Sequence, residues 1–141
     1  SKNVQKDMHN YAFGLIYFNQ KEYENAMKMM LKVNLNSIQF IVDCKTTLLK
    51  INFELGDITG FNYQSQTFLK FINKDKSLNK MHKKNVLDSI EFIKLLFKYK
   101  ANKTQKEFLE KLQLKKIDYL ITNYRDKWFA EKYSFESQKI H

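Results

Sequence analysis

The residue types that carry most enzyme chemistry are few in this chain of 141 residues, and they lie far apart. The three histidines, His9, His82 and His141, form no HExxH pattern and have no carboxylate at metal-ligand spacing. The single cysteine, Cys44, excludes an intramolecular disulfide and any cysteine-rich metal site. We therefore expect surface histidines, an inert thiol in the core and no metal site.

Phosphate-binding loops and catalytic carboxylate pairs are also missing from the pattern. The chain has three glycines, and neither the P-loop pattern nor the G-x-G-x-x-G pattern occurs. The acidic residues stand singly along polar helix faces, so the sequence places no two carboxylates together for acid and base work. We predict that the chain is not an enzyme and binds no cofactor.

Lysine supplies nearly all of the positive charge. The net charge is +10, and Arg125 is the only arginine among the 25 basic residues. Asparagine, isoleucine, phenylalanine and tyrosine are also frequent, a profile typical of an AT-rich genome, so much of the charge is compositional. Arginine, rather than lysine, reads base edges with two hydrogen bonds and stacks on bases.

The densest basic run extends from Lys70 to Lys106. It favours a solvated helix face, because its aromatic residues mostly fall on the apolar side of their helices and do not alternate with lysine as a base-stacking surface requires. A nucleic acid or another acidic surface is the alternative partner of this run. The residues that would carry that contact are Lys80, Lys83, Lys84, Lys94 and Lys98.

The elements that must position these residues are helices. The chain has no proline, which suits long helices with short connections. Helical periodicity predicts five helices, followed by two or three shorter ones between 108 and 133; the five lie near 4–19, 22–33, 38–55, 58–73 and 78–99. Ser37 is the expected N-cap of the third helix, and Gly56 with Asp57 the expected left-handed cap at its end.

Two of these helices have informative faces. The first is apolar nearly all round, which predicts that it is covered on more than one side. The periodicity of the third helix predicts one buried, dry face and one solvent-facing, wet face. Its dry face holds Ile41, Cys44, Leu48, Ile51 and Leu55, and its wet face holds Gln39, Asp43, Thr46, Thr47, Lys50 and Glu54.

The first helical pair resembles a tetratricopeptide repeat. The segment NYAFGLIY places Gly14 and then Tyr17 three residues on, and Tyr23 and Ala26 follow. The physical reason is close packing, because Gly14 and Ala26 lack bulk and let the two helices approach. The pattern departs from the family in Asn10 where tryptophan is usual, in Met30 where an aromatic residue is usual and in the missing terminal proline.

A second, partial copy follows with the segment NFELGDITGF. Farther on, three segments resemble the C-terminal region of tetratricopeptide-like proteins from Bacteroidetes: HKKNVLDSIEFIKLLFKYK, EKLQ and DKWFAEKY. No chemistry is assigned to that family of proteins. The resemblance implies a right-handed α-α superhelix of antiparallel hairpins with about six to eight helices, in one domain over 1–141. Its parts are degenerate repeats at about 7–41 and 42–75, a helical cap at 76–134 and a tail at 135–141.

The resemblance implies a non-catalytic scaffold for protein–protein interaction. The concave groove of such arrays would bind a protein or peptide through Met8, Tyr11, Leu15, Asn19, Asp43, Thr47, Lys50 and Glu54. The family's clamp for a terminal carboxylate is not expected, because Tyr11 and Leu15 occupy its places. Two alternatives stay open: the apolar sides of 4–18 stack on a neighbouring repeat of the same chain, or the first helix pairs in a homodimer.

The sequence gives little about location. No window approaches 18 consecutive apolar residues, and no signal-peptide pattern occurs at the start. The chain begins SKNVQK without an initiating methionine, so we expect the C-terminal part of a longer protein. The compartment is left open, with a cytoplasmic location as the default.

Overall fold

A computed structural model describes residues 2–34, 37–102, 110 and 126–138 of the chain. Within these ranges every regular element is a helix and no strand occurs, so the predicted all-α class is confirmed. The superhelical arrangement stays a prediction. The helices are α1 (Lys2–Asn19), α2 (Tyr23–Leu31), α3 (Ile38–Glu54), α4 (Ile58–Lys74), α5 (Lys80–Asn102) and α6 (Lys127–Gln138).

The chain divides into two compact units, Ser1–Val86 and Leu87–His141. The first unit holds α1 to α4 and the beginning of α5, and its helices pack in chain order: α1 on α2, α2 on α3 and α3 on α4. The second unit holds the rest of α5 together with α6. The expectation of one domain over 1–141 stays a prediction.

The connection from α3 to α4 is a Schellman turn. Gly56 has φ +68°, the left-handed conformation that glycine adopts without steric cost. The Asp57 N–H donates to the Asn52 carbonyl at 2.8 Å, and the Gly56 N–H donates to the Phe53 carbonyl at 3.0 Å. The Asp57 side chain then accepts from the Gly60 N–H at 2.8 Å and caps α4. The predicted left-handed cap is confirmed.

The connection from α1 to α2 repeats this geometry without glycine. Lys21 has φ 62°, the Glu22 N–H donates to the Tyr17 carbonyl at 2.9 Å, and the Lys21 N–H donates to the Phe18 carbonyl at 3.0 Å. Lys21 and Gly56 stand 35 residues apart, as do the first residues of α2 and α4. The two hairpins therefore share one turn structure in the register that the sequence predicted.

Close packing holds the first hairpin together. A Cβ atom added to Gly14 would lie 2.8 Å from Met30 Cε, so no larger residue fits there without a shift of the methionine. Ala26 is fully buried on the facing helix. The predicted roles of Gly14 and Ala26 as points of close approach are confirmed.

Each unit has its own apolar core. In the first unit, buried Ala26, Met30, Cys44, Leu48 and Ile51 form one cluster, and half-buried side chains of α1, including Tyr11 and Leu15, pack against it. In the second unit the Phe92 and Phe129 rings meet edge to face at 5.3 Å, and Trp128 is buried beside them. Trp128 therefore anchors the last helix.

Some local expectations were wrong, and others lie outside the described residues. Ser37 is the N-cap residue of α3, as predicted, but its side chain makes no capping hydrogen bond. The last helix runs to Gln138, beyond the predicted beginning of the tail at 135. Leu87, an apolar residue next to the buried Val86 on α5, is 49% exposed. The helices expected near 108–112 and 117–124 lie outside the described residues.

Candidate functional site

The predicted groove begins where α1 passes close to α3. The Tyr11 and Phe40 rings meet edge to face, with centroids 5.6 Å apart. Burial, together with the nearby negative charge of the Asp43 carboxylate, raises the pKa of the Tyr11 phenol to about 12. The structure thus brings Tyr11 and Asp43 together, as the groove prediction requires.

The eight predicted groove residues differ widely in exposure. Met8 and Asn19 are exposed, and Tyr11, Leu15, Asp43 and Glu54 are half-buried. Thr47 and Lys50 are buried, with 6% and 8% of their surface exposed, so their assignment to the wet face of α3 was wrong. Whether the other six bind a partner stays a prediction.

The position of α3 in the fold explains this correction. The helix packs on α2 at one side and on α4 at the other, so residues 47–53 are buried without interruption. The Thr47 hydroxyl donates to the Asp43 carbonyl at 2.8 Å, which satisfies a hydroxyl that has lost contact with water. Lys50 belongs to the same covered stretch. The adjacent Leu48 and Leu49, both buried, were the signal in the sequence for a helix covered on two sides.

A surface of α1 that overlaps the predicted groove at Met8 is apolar and exposed to solvent. The α1 face, as we name it, consists of Val4, Met8, Ala12, Phe13 and Ile16. Its four large side chains are 53%, 38%, 38% and 48% exposed, in chain order, and the His9 ring lies against Phe13 at 4.5 Å. The described residues cover the Gly14 side of α1. The expectation that α1 is covered on more than one side stays a prediction.

The predicted polyanion residues lie on α5 and reach solvent. In the first unit Lys80 and Lys84 are exposed and Lys83 is half-buried, and in the second unit Lys94 and Lys98 are exposed. Phe92 and Phe97 are buried, so these rings do not stand on the surface to stack with bases. The lysine charges are therefore available to a nucleic acid, but these two buried rings cannot stack on its bases.

The described cysteine and histidines lie where the sequence predicted, Cys44 in the core and His9 and His82 at the surface. Burial raises the pKa of the Cys44 thiol to about 11, and the thiol donates to the Met30 carbonyl at 3.5 Å, so it is neutral and unreactive at neutral pH. His9 and His82 are exposed, and His141 lies outside the described residues. Among the described residues, no group of three or more histidine, cysteine, aspartate or glutamate side chains is placed to hold a metal ion.

A pocket of about 320 Å³, which sequence reasoning missed, lies where the end of α2 meets α3 and α4. Its apolar wall includes Met30, Leu31, Val33, Ile41, Leu48 and Phe71. Asn34, Lys45 and Gln64 supply its polar groups, and the Lys45 ammonium lies 5.7 Å from the centre of the Phe71 ring. Residues from three helices build the pocket, so no local pattern in the sequence could indicate it.

Comparison of the chain with protein-family models, with curated proteins and with solved structures finds no match. The tetratricopeptide resemblance therefore stays a prediction that rests on the residues quoted for it. In the part of the chain that the structure describes, no helix is both long and apolar enough to span a bilayer.

Proposed function

We propose that the chain is a non-catalytic protein-interaction scaffold of the tetratricopeptide type. Its α1 face docks an apolar side of another helix, either in a partner protein or in a neighbouring repeat of the same chain. The observation that carries this proposal is the exposure of four large apolar side chains along α1. Exposed apolar surface of this kind commonly marks an interaction site.

The repeat geometry supports the same proposal. The α1–α2 and α3–α4 hairpins share one turn structure at a spacing of 35 residues, and each packs on the next through α2 and α3. Stacked repeats bury a continuous core between neighbours and leave an apolar side at an unstacked end. On this account α1 is the helix at such an end.

The size of the α1 face limits the affinity it can supply. Full burial of a valine, methionine, phenylalanine or isoleucine side chain stabilises by about 1.5–3 kcal/mol. Because roughly half of each side chain is exposed, docking gains about 1 kcal/mol from each, or about 4 kcal/mol together, which does no more than offset the entropic cost of association. We therefore expect the half-buried groove residues Tyr11 and Leu15 to contribute to a tighter complex.

A matched pair of substitutions tests the proposal. Ile16, on the α1 face, is 48% exposed, and Ile58, at the start of α4, is 52% exposed. Helical peptides selected from a display library on the unmodified chain should bind Ile16→Gln at least about fivefold more weakly and Ile58→Gln with unchanged affinity. Equal effects of the two substitutions would show that α1 is not the docking surface.

The runner-up is a basic helical module that contacts nucleic acid or another acidic surface through α5. The observation that favours it is the exposure of Lys80, Lys84, Lys94 and Lys98. Binding of this kind weakens steeply with salt, because counterions are released from the polyanion. Filter retention of single-stranded RNA that is equally weak at low and moderate ionic strength would exclude it.

A further inference from the structure

The pocket between α2, α3 and α4 has the composition of a small-molecule site. Ligand pockets are mostly apolar and carry a few polar groups that fix the orientation of the ligand. Here seven of the ten lining residues are apolar, the polar ones are Asn34, Lys45 and Gln64, and about half of the lining surface is polar. None of the described residues that line the pocket is acidic.

The charge of the pocket selects the kind of ligand. Lys45 lies against the pocket wall beside the Phe71 ring. Burial raises the pKa of the Cys44 thiol, and the nearby Lys45 ammonium lowers it in part. An ammonium with an apolar wall on one side is less hydrated than one in open water, so it gains more from an anionic partner. The chain's charge of +10 adds a favourable field for anions.

The volume limits the size of the ligand. A space of about 320 Å³ corresponds to roughly ten water molecules in the liquid, so it holds a ligand of about ten non-hydrogen atoms. An eight-carbon carboxylate has this size, and its two parts match the two kinds of lining. The charged end meets Lys45, and the hydrocarbon chain meets Val33, Ile41 and Leu48.

We propose that this pocket binds a small amphipathic monocarboxylate. The carboxylate lies beside the Lys45 ammonium and accepts a hydrogen bond from the Gln64 amide, and the hydrocarbon chain fills the apolar part between α2 and α3. Such a ligand bridges the first hairpin, which ends at α2, and the second, which begins at α3. Binding therefore stabilises the contact between the two hairpins by mass action. The α1 face is not involved, so this inference is independent of the proposed function.

Titration calorimetry on the 141-residue chain tests the proposal with octanoate, 1-octanol and octylamine as probes. We expect octanoate to bind at least about tenfold more tightly than octanol, because a hydrogen bond to a charged group adds about 1.5–3 kcal/mol. Octylamine should not bind. If octanol binds as tightly as octanoate, the carboxylate charge does not contribute to binding, and the proposal is overturned. If an apolar tripeptide binds more tightly than octanoate, the ligand is not a small monocarboxylate.

Two lysine variants locate the site. Lys45→Met keeps the apolar stem and removes the charge, and it should weaken octanoate binding about tenfold. Lys70→Met removes the same charge from an exposed position on α4 outside the pocket lining, and it should change the affinity by less than about twofold. If the two variants weaken octanoate binding equally, the ligand does not bind beside Lys45, and the proposed site is wrong. Circular dichroism shows whether each variant keeps its helices.

Cys44, the only cysteine, is a built-in reporter of pocket occupancy. At about pH 9, where more of this thiol is ionised than at neutral pH, saturating octanoate should slow its modification by methyl methanethiosulfonate at least about fivefold, since a bound ligand blocks the approach to the thiol. Gln64→Leu removes the proposed amide donor and should weaken this protection, whereas Ile16→Gln on α1 should leave it intact. Octanoate that binds without protecting Cys44 would place the ligand elsewhere and overturn the proposal.

Discussion

Replacement of Gly14 by alanine tests how closely α1 and α2 approach each other. The added Cβ would lie 2.8 Å from Met30 Cε and 3.1 Å from both Cγ and Sδ. Carbon atoms pack best at about 3.5–4.0 Å, so the methionine would have to move. Because Met30 is 1% exposed, it has little free space to move into.

Two opposing contributions decide the size of the effect. Alanine in a helix interior is favoured over glycine by about 1 kcal/mol. Overpacking of a filled core costs about 1–3 kcal/mol. We therefore expect Gly14→Ala to change stability by between about zero and 2 kcal/mol in the destabilising direction, rather than to show the gain of about 1 kcal/mol that an uncrowded helix would give.

A double-mutant cycle with Met30→Ala isolates the contact. Met30→Ala should cost about 2–5 kcal/mol, because it leaves a cavity, but it removes the three atoms that crowd Gly14. In that background Gly14→Ala should stabilise by about 1 kcal/mol, which gives a favourable coupling of about 1–3 kcal/mol. Urea unfolding followed by circular dichroism measures all four proteins. A gain of the same size in both backgrounds would refute the close approach.

Three further predictions concern the turns, the core and α1. Lys21→Gly should stabilise the chain and Gly56→Ala should destabilise it, each by about 1 kcal/mol in urea unfolding, because both positions have positive φ. The free energy of unfolding should fall as pH rises from 9 to 12, because the folded state favours the neutral forms of two side chains. Folding raises the pKa of Tyr11 from 10.0 to about 12 and the pKa of Cys44 from 9.0 to about 11. Tyr11→Phe should remove a phenol with a pKa of about 12 from a titration followed by ultraviolet absorbance. Sedimentation of the unmodified chain at high concentration should show a dimer if α1 pairs with itself, and Ile16→Gln should then restore the monomer.

Local signals in the sequence predicted the helices and the second turn well. Gly56 marked a left-handed cap, and Gly14 and Ala26 marked the close approach of α1 and α2, because each of these roles depends on the small size of a single residue. The turn at Lys21 was located by its polar residues. The positive φ of Lys21 was not predicted, because the geometry of the turn requires it and lysine as a residue type gives no sign of it.

The candidate site was harder to predict, because it depends on which helices are neighbours. Periodicity placed Thr47 and Lys50 opposite the apolar stripe of α3, but it could not show that α2 and α4 cover this helix on two sides. The same limit explains the missed pocket, where Lys45 and Gln64 come from different helices. The exposure of Ile16 was missed for the converse reason, because an apolar residue does not reveal whether anything lies against it.

Photocrosslinking tests the central claim, that α1 docks another polypeptide, most directly. Benzoylphenylalanine would replace Phe13 on the α1 face and, as a control, Tyr63 on α4, which is 66% exposed. Irradiation in cells that make the protein, followed by mass spectrometry, identifies what each position touches. We predict that position 13 crosslinks to a defined polypeptide segment, in a partner or in the same protein, and that position 63 gives no such product. Equal crosslinking at the two positions, or none at position 13, would contradict the account.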